Sequence, residues 1–203
     1  MTSKKTILDI SITVFLIITF FVLNKIAFVI SFDNTINNFM LAHQSPAVSD
    51  FMLSITKILN PVEAFIVFLI FGLFLFLKNK KYFNNFTIAT GLGILLPFVI
   101  KFVTQIPRPS LLLEQDYSFP SAHATLATIF LLSSIFYLVP LMKEGFSKTL
   151  FILITYISFP LVAFSRIFLS AHWTSDVIAG VILGLACFVI AEILCCHKKE
   201  NVL

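Results

Sequence analysis

Charged residues punctuate the chain at wide intervals, and the stretches between them are almost wholly apolar. Six such stretches lie between Asp9 and Lys25, Glu63 and Lys78, Lys81 and Lys101, Asp116 and Lys143, Lys148 and Arg166, and Asp176 and Glu192. Each predicts a membrane helix. Several are shorter than the roughly 20 residues that a hydrocarbon core of about 30 Å asks for, so their ends must extend. Ile26 to Ile30 can prolong the first beyond Lys25, whose stem can snorkel, and Asn60-Pro61-Val62-Glu63 opens the second with a cap residue, a proline at the first helical position and an acid. A cleaved signal peptide is the alternative for the first stretch, but no small-residue cleavage pattern follows it, and it is read as a helix. The long connection from Ser31 to Asn60 carries Phe51, Met52, Ile55, Ile58 and Leu59 at helical spacing. That pattern predicts an amphipathic surface helix, with packing as its default role and lipid gating as the alternative. The expected architecture is all-α: a polytopic bundle of six transmembrane helices with an amphipathic surface helix between helices 1 and 2. With no polar linker and no repeat, residues 1–203 read as a single membrane-integral domain.

Composition excludes the soluble alternatives. Hydrophobic residues make up 59% and charged residues 12%, against about 45–50% and 25% in soluble domains, and 25 of the 203 residues are Phe. Six Gly and eight Pro without a period exclude collagen-like and disordered chains. The three cysteines, Cys187, Cys195 and Cys196, lack metal or framework spacing and read as structural thiols.

A net charge of +4 invites a nucleic-acid reading, but the distribution of the cations argues for topology instead. An even helix number puts both termini on one side. Lys4, Lys5, Lys78, Lys80, Lys81, Lys143, Lys148, Lys198 and Lys199 then share that side, 9 of the 14 basic residues, which predicts cytoplasmic termini and no nucleic-acid partner. Lys25, Lys57, Lys101, Arg108 and Arg166 fall on the opposite, outward side, and the last three sit at helix edges among unusual polar residues.

Those residues occupy two loops predicted on the same side. The first holds Lys101, then after six residues Arg108-Pro109, then Pro120-Ser121-Ala122-His123; the second holds Ser165-Arg166, His172 after five residues and Asp176 after three more. Three cations, two imidazoles, a hydroxyl and a carboxylate make a phosphate site. Lys and Arg match phosphoryl oxygens, and Ser121 with the amides that open the fourth helix adds donors backed by the helix dipole. His172 and Asp176, four apart, share a helical face if the sixth helix begins near them, so the carboxylate can hold one ring nitrogen and leave the other as a nucleophile. His123 is then free to protonate a leaving oxygen. A lone His or Arg at a membrane edge is often only a hydrogen-bonder; the constellation argues otherwise. Ser165 either caps the loop or contacts substrate, and Pro109 and Pro120 read as turn formers. His43 and His197 read as surface residues, Glu114 and Asp116 as solvated loop charges with substrate-headgroup contact as the alternative, and Tyr117 and Trp173 as interfacial anchors or substrate contacts.

At these positions the sequence resembles the type 2 phosphatidic acid phosphatase (PAP2) superfamily, whose motifs are K-x6-R-P, P-S-G-H and S-R-x5-H-x3-D. Lys101, Arg108, Pro109, Pro120, Ser121, His123, Ser165, Arg166, His172 and Asp176 fit in order and spacing, and Ala122 stands where the family usually has Gly. Its Cβ restricts the backbone, but its amide is still expected to donate. The resemblance implies a lipid phosphatase that works through a phosphohistidine, with His172 attacking phosphorus, His123 protonating the leaving group, and Lys101, Arg108, Ser121, Ala122 and Arg166 holding the phosphoryl oxygens. With Lys101, Arg108 and Arg166 to neutralise phosphate and no carboxylate cluster suited to Mg²⁺, no metal and no cofactor are expected. Expected partners are the bilayer and a lipid phosphate: undecaprenyl diphosphate, phosphatidylglycerophosphate, phosphatidate or a lipid A phosphate. The expected location is a bacterial inner membrane, with the site facing outward; the oligomeric state stays open. A lipid phosphotransferase using the same site and a non-catalytic phosphate-headgroup transporter are the rivals, and the second has no use for the His172 and Asp176 pairing. A haloperoxidase-like activity does not suit a membrane-embedded chain.

Overall fold

The chain is described by a computed structural model for residues 2–57, 61–111 and 115–197. All six apolar stretches are helical, as a backbone that must satisfy its own polar groups in lipid requires. They form α1 (Thr2–Leu23), α4 (Pro61–Lys78), α5 (Lys80–Thr104), α6 (Ala122–Ser133), α7 (Phe146–Phe168) and α8 (Thr174–His197), while α2 (Ala27–Ala42) and α3 (Pro46–Thr56) fill the first connection. α6 continues through a π-helical turn, Ser134–Leu138, and a 3-10 turn, Val139–Leu141. Five of these, α1, α5, extended α6, α7 and α8, are long and apolar enough to cross a membrane. The 18 residues of α4 reach ~27 Å at 1.5 Å each, and α4 exposes Phe65, Ile66, Leu69, Ile70, Leu73 and Leu77.

The first connection departs from expectation. Two helices stand where one was predicted, and α1 does not run on through Ile26–Ile30. It stops because Lys25 adopts a left-handed φ of 50°. The Ile26 amide then bonds back to the Phe21 carbonyl (3.0 Å) and the Lys25 amide to Val22 (3.1 Å), which closes the helix end in a Schellman turn. α2 consequently folds over α7 and α8, and α3 over α7. In α3, Met52 and Thr56 are buried and Phe51 is exposed, as an amphipathic helix requires. Ile58, Leu59 and Asn60 lie outside the described residues.

α8 is the axis of the bundle. Of its membrane span 56% is buried, against 6% for α1, and α1, α5 and α6 all pack on it. Phe68, Phe71, Phe86 and Phe130 interlock between α4, α5 and α6 with centroids 4.7–6.0 Å apart. At the end of the bundle remote from the motif loops, the Glu192 carboxylate accepts from Lys4 (2.6 Å), Tyr137 (2.6 Å) and Asn85, tying α1, extended α6 and α5 to α8. The π-helical turn carries Tyr137 inward to this acid, stacked between Tyr82 and Phe188.

The backbones of α6 and α8 approach closely where Gly180 and Gly184 form a small-xxx-small pair. A Cβ at Gly180 would lie 2.5 Å from the Ser121 carbonyl oxygen, and one at Gly184 would lie 2.6 Å from that of Thr125. Both obstacles are backbone, so neither can step aside. At Gly91 a Cβ meets nothing within 4 Å. Gly180→Ala should therefore destabilise the bundle by about 1–3 kcal/mol through overpacking, whereas Gly91→Ala should be neutral or stabilising by up to about 1 kcal/mol. Thermal midpoints of the purified variants in detergent check the contrast, and equal midpoints would contradict the close α6–α8 contact.

Candidate active site

The glycine contact brings the start of α6 against the start of α8, and the Ser121 amide donates to the Asp176 carbonyl at 3.1 Å. Three polar segments converge there. Lys101 comes from the last turn of α5, which ends at Gln105 in a left-handed conformation (φ 52°). The following loop is pinned by Ser118 N–H to Ile106 O (2.8 Å) and by the Trp173 indole N–H to Pro107 O (2.9 Å), and it delivers Arg108. Arg166 comes from the last turn of α7. That helix also ends on a left-handed residue, Ser170 (φ 52°), with the Ala171 and His172 amides bonded to the Arg166 carbonyl at 3.0 and 3.2 Å. The turn thus fixes His172 two residues before α8, and not on the helix as expected, yet its ring still meets Asp176, Nδ1 to Oδ2, at 3.5 Å. This is ion-pair reach, longer than a formed N–H···O bond. The other duty of Asp176 Oδ2 is local: it accepts from the Trp173 amide at 2.9 Å and caps α8.

The tautomer of His172 follows from its neighbours. Arg108 Nη1 lies 3.0 Å from Nε2, and a guanidinium only donates, so Nε2 accepts and the ring proton belongs on Nδ1, toward Asp176. Burial, and then the positive charges of Arg108, Arg166 and Lys101, hold the His172 pKa well below its ordinary 6.5, with His123 contributing in the same direction. The ring is neutral, with a lone pair on Nε2 facing cations. Arg166 is 1% exposed, and its Nη1 donates to Thr56 Oγ1 at 2.7 Å.

The remaining motif residues divide. Ser121 is the N-cap of α6, its hydroxyl accepting from Ala124 N–H at 3.4 Å. Ala122 and His123 occupy the first two helical positions, where amides lack intrahelical partners and point along the helix dipole. His123 Nε2 is buried without a hydrogen-bond partner among the described residues, and His123 forms part of the wall of a cavity of about 510 Å³ lined by Phe65, Phe68, Ile94, Ala122, Leu126 and Phe130. Ser165 faces away, donating to Val162 O at 2.7 Å inside its own helix. Pro109 follows Arg108 in the loop, and Pro120 is buried before the α6 cap.

Asp116 is exposed, as its loop position suggested, but it is also paired with two cations. Its Oδ1 accepts from Arg108 Nη2 (2.5 Å) and Nε (3.0 Å), and its Oδ2 from Lys101 Nζ (2.8 Å). Burial alone would raise its pKa, but the bonds and charges of Lys101 and Arg108 prevail and lower it, so the carboxylate is ionised. Glu114 lies outside the described residues. Three further residues touch the site unannounced by any motif. Asp33 of α2, buried, accepts from the Ser175 amide (2.8 Å) and hydroxyl (2.6 Å) at the start of α8; Gln44 donates to Phe168 O (2.6 Å); Thr56 of α3 meets Arg166. The solitary acid Asp33 in an apolar stretch was a sequence signal; Gln44 and Thr56 gave none. The His43 ring, by contrast, bonds back to its own helix, at Phe39 O.

Comparison with known proteins fits this arrangement. The chain matches the PAP2 superfamily over residues 82–200 and belongs to it. Its fold is similar to that of the transmembrane PAP2-type phosphatidylglycerolphosphate phosphatase from Bacillus subtilis, with 24% identity, 97% of each chain covered and a TM-score of 0.78. It is also similar to Aquifex aeolicus LpxE, with 22% identity, 81% of this chain and 94% of that chain covered, and a TM-score of 0.56. No curated protein sequence matches the chain. It is thus a membrane-integral member of the PAP2 phosphatase superfamily.

The depressed pKa of His172 has a stability signature. Below pH 6.5 the unfolded ring binds a proton that the folded ring refuses, so the contribution of this group is whole above that pH and declines as pH falls through it, by about 1.4 kcal/mol per unit. Melting at pH 7 and pH 5.5 should show a smaller pH-dependent drop for His172→Asn than for the wild type. Equal drops would mean that the ring is not held neutral.

Proposed function

We propose that this protein hydrolyses a phosphate monoester or diphosphate of a membrane lipid through a phosphohistidine on His172. The observation that carries the reading is the placement of the His172 ring, with Nε2 3.0 Å from Arg108 Nη1 and Nδ1 3.5 Å from Asp176 Oδ2. Phosphate oxygens would be held by Lys101, Arg108, Arg166, Ser121 and the Ala122 and His123 amides, which neutralise charge as it develops. His172 Nε2 attacks phosphorus, the bond to the leaving oxygen breaks, and His123 supplies that oxygen with a proton. His123 then takes a proton from water, whose oxygen attacks the phosphohistidine, releasing phosphate and restoring Nε2. Asp176 orients the ring and favours its Nδ1 proton throughout. A lipid substrate suits the apolar cavity beside His123, where a hydrocarbon chain can lie while the phosphate reaches the cations. The similarity to the Bacillus subtilis enzyme makes phosphatidylglycerophosphate the first substrate to try, with undecaprenyl diphosphate and phosphatidate beside it.

Purified protein should release phosphate from at least one of these lipids without an added acceptor and in excess EDTA, since the cations at the site are its own. Quenching in alkaline detergent should trap a phosphoenzyme that is stable to alkali and lost in acid. His172→Ala should abolish label and turnover, a loss of at least about 10³-fold. Asp176→Asn should keep the label but slow its formation. A folded His172→Ala protein with wild-type turnover would overturn the nucleophile assignment, and phosphate release only with a lipid acceptor would make the protein a phosphotransferase.

The reading also places the site on the outward face of the cytoplasmic membrane, with both termini inside, from the lysine distribution. In a cysteine-free background, an impermeant thiol reagent applied to intact cells should label a cysteine at Leu111, 61% exposed in the Arg108 loop, and spare one at Lys80. Labelling of Lys80→Cys alone would reverse the orientation.

A further inference from the structure

Arg108 has no idle nitrogen at the mouth of the site. Nε and Nη2 donate to Asp116, Nε also to the Asp116 carbonyl (3.1 Å), and Nη1 donates to the Ala171 carbonyl (2.6 Å) and His172 Nε2. Lys101 takes the second Asp116 oxygen. One carboxylate therefore spans both cations of the first motif, in the two-oxygen manner by which a phosphoryl group would engage them. The exposures are lopsided: the Arg108 side chain is 0% exposed and that of Lys101 12%, while that of Asp116 is 57% exposed. The cations are built in, and the anion sits at the opening.

We infer that Asp116 is a resident competitor for the phosphate seat that selects phosphomonoester and diphosphate head groups against phosphodiesters. The inference rests on the phosphatase reading above, in which Lys101 and Arg108 hold the phosphoryl group. Its logic is charge exchange. A phosphodiester carries one negative charge, so replacing the carboxylate with it leaves the net charge beside Lys101 and Arg108 unchanged while the charge-assisted bonds of Asp116 are lost. A monoester carries about −1.5 to −2 near neutral pH, and a diphosphate more, so each displaces the carboxylate with a net electrostatic gain. The bilayer surface in which the enzyme works is crowded with phosphodiester head groups, and two unopposed cations would be occupied by them. Specificity is a difference of affinities, and an internal anion of unit charge lowers affinity for the wrong class more than for the right one. The lowered pKa of Asp116 keeps the competitor charged across the neutral range.

The test compares wild type, Asp116→Asn and Asp116→Ala in dodecyl maltoside micelles by calorimetric titration with inorganic phosphate, with and without phosphatidylglycerol mixed into the micelles. Asn preserves the shape without the charge, and Ala empties the seat should the amide still fill it. At least one variant should bind phosphate about tenfold more tightly than wild type, the scale of one charge-assisted hydrogen bond. In that variant phosphatidylglycerol should weaken phosphate binding, while wild type stays indifferent to it. Phosphate affinity unchanged or weakened in both variants would make Asp116 a holder of Arg108 and overturn the inference; so would indifference of both variants to phosphatidylglycerol. Binding is read without turnover, so the two readings fail separately. Tighter phosphate binding in a variant of a protein that hydrolyses no lipid phosphate would sink the phosphatase reading alone, and active wild type with unaltered variants would sink the selection alone.

Discussion

The α6–α8 contact at Gly180 and Gly184 is the constraint on which the rest of the site depends. Two helices approach closely only where Cβ atoms are missing, and here the absent Cβ atoms face backbone carbonyls of Ser121 and Thr125. That approach sets the Ser121 amide on the Asp176 carbonyl and joins the first turns of two helices that are far apart in sequence. One of those turns holds His123 and the free amides at positive dipole ends, and the other holds Asp176 behind His172. A slip of one helix along the other would separate the two imidazoles without altering any motif.

Helix endings do comparable work. Among the described residues the non-glycine positions with positive φ are Lys25, Gln105 and Ser170, and they terminate α1, α5 and α7. Left-handed backbone costs a non-glycine residue roughly 1–2 kcal/mol, and here it stops each helix where a polar segment starts. After Lys25 the chain turns into α2 and brings in Asp33; after Gln105 it turns to Arg108; after Ser170 it presents His172. The polar segments that emerge then satisfy one another: Arg108 on the Ala171 carbonyl, Trp173 on the Pro107 carbonyl, and Asp176 on the Trp173 amide.

The α2–α3 hairpin is a third support, and its chemistry is unlike that of a surface amphipathic element. Asp33, Gln44 and Thr56 reach respectively the start of α8, the end of α7 and the Arg166 guanidinium. Burial of a cationic side chain at 1% exposure demands partners that satisfy its donors, and Thr56 is one of them. The hairpin thus contributes to holding a buried cation in place while leaving the mouth near Arg108 to the exposed Asp116.

Much of this was legible in the amino-acid order alone. The spacing of charges determines the six apolar stretches, because lipid admits only helices of that length and polarity, and it puts the two motif loops at one end because helix number fixes parity. Spacing and residue type also single out Lys101, Arg108, His123, Arg166, His172 and Asp176, since few arrangements other than a phosphate site collect such groups. Tertiary structure alone decided what each does with its neighbours. His172 sits before its helix because Ser170 turns left-handed; the Ser165 hydroxyl donates within its own helix, while the Ser121 oxygen caps α6; Asp116 joins two cations 8 and 15 residues away. These are contacts between side chains whose approach is set by helix packing, and periodicity carries no information about which loop residue will find a buried charge within reach.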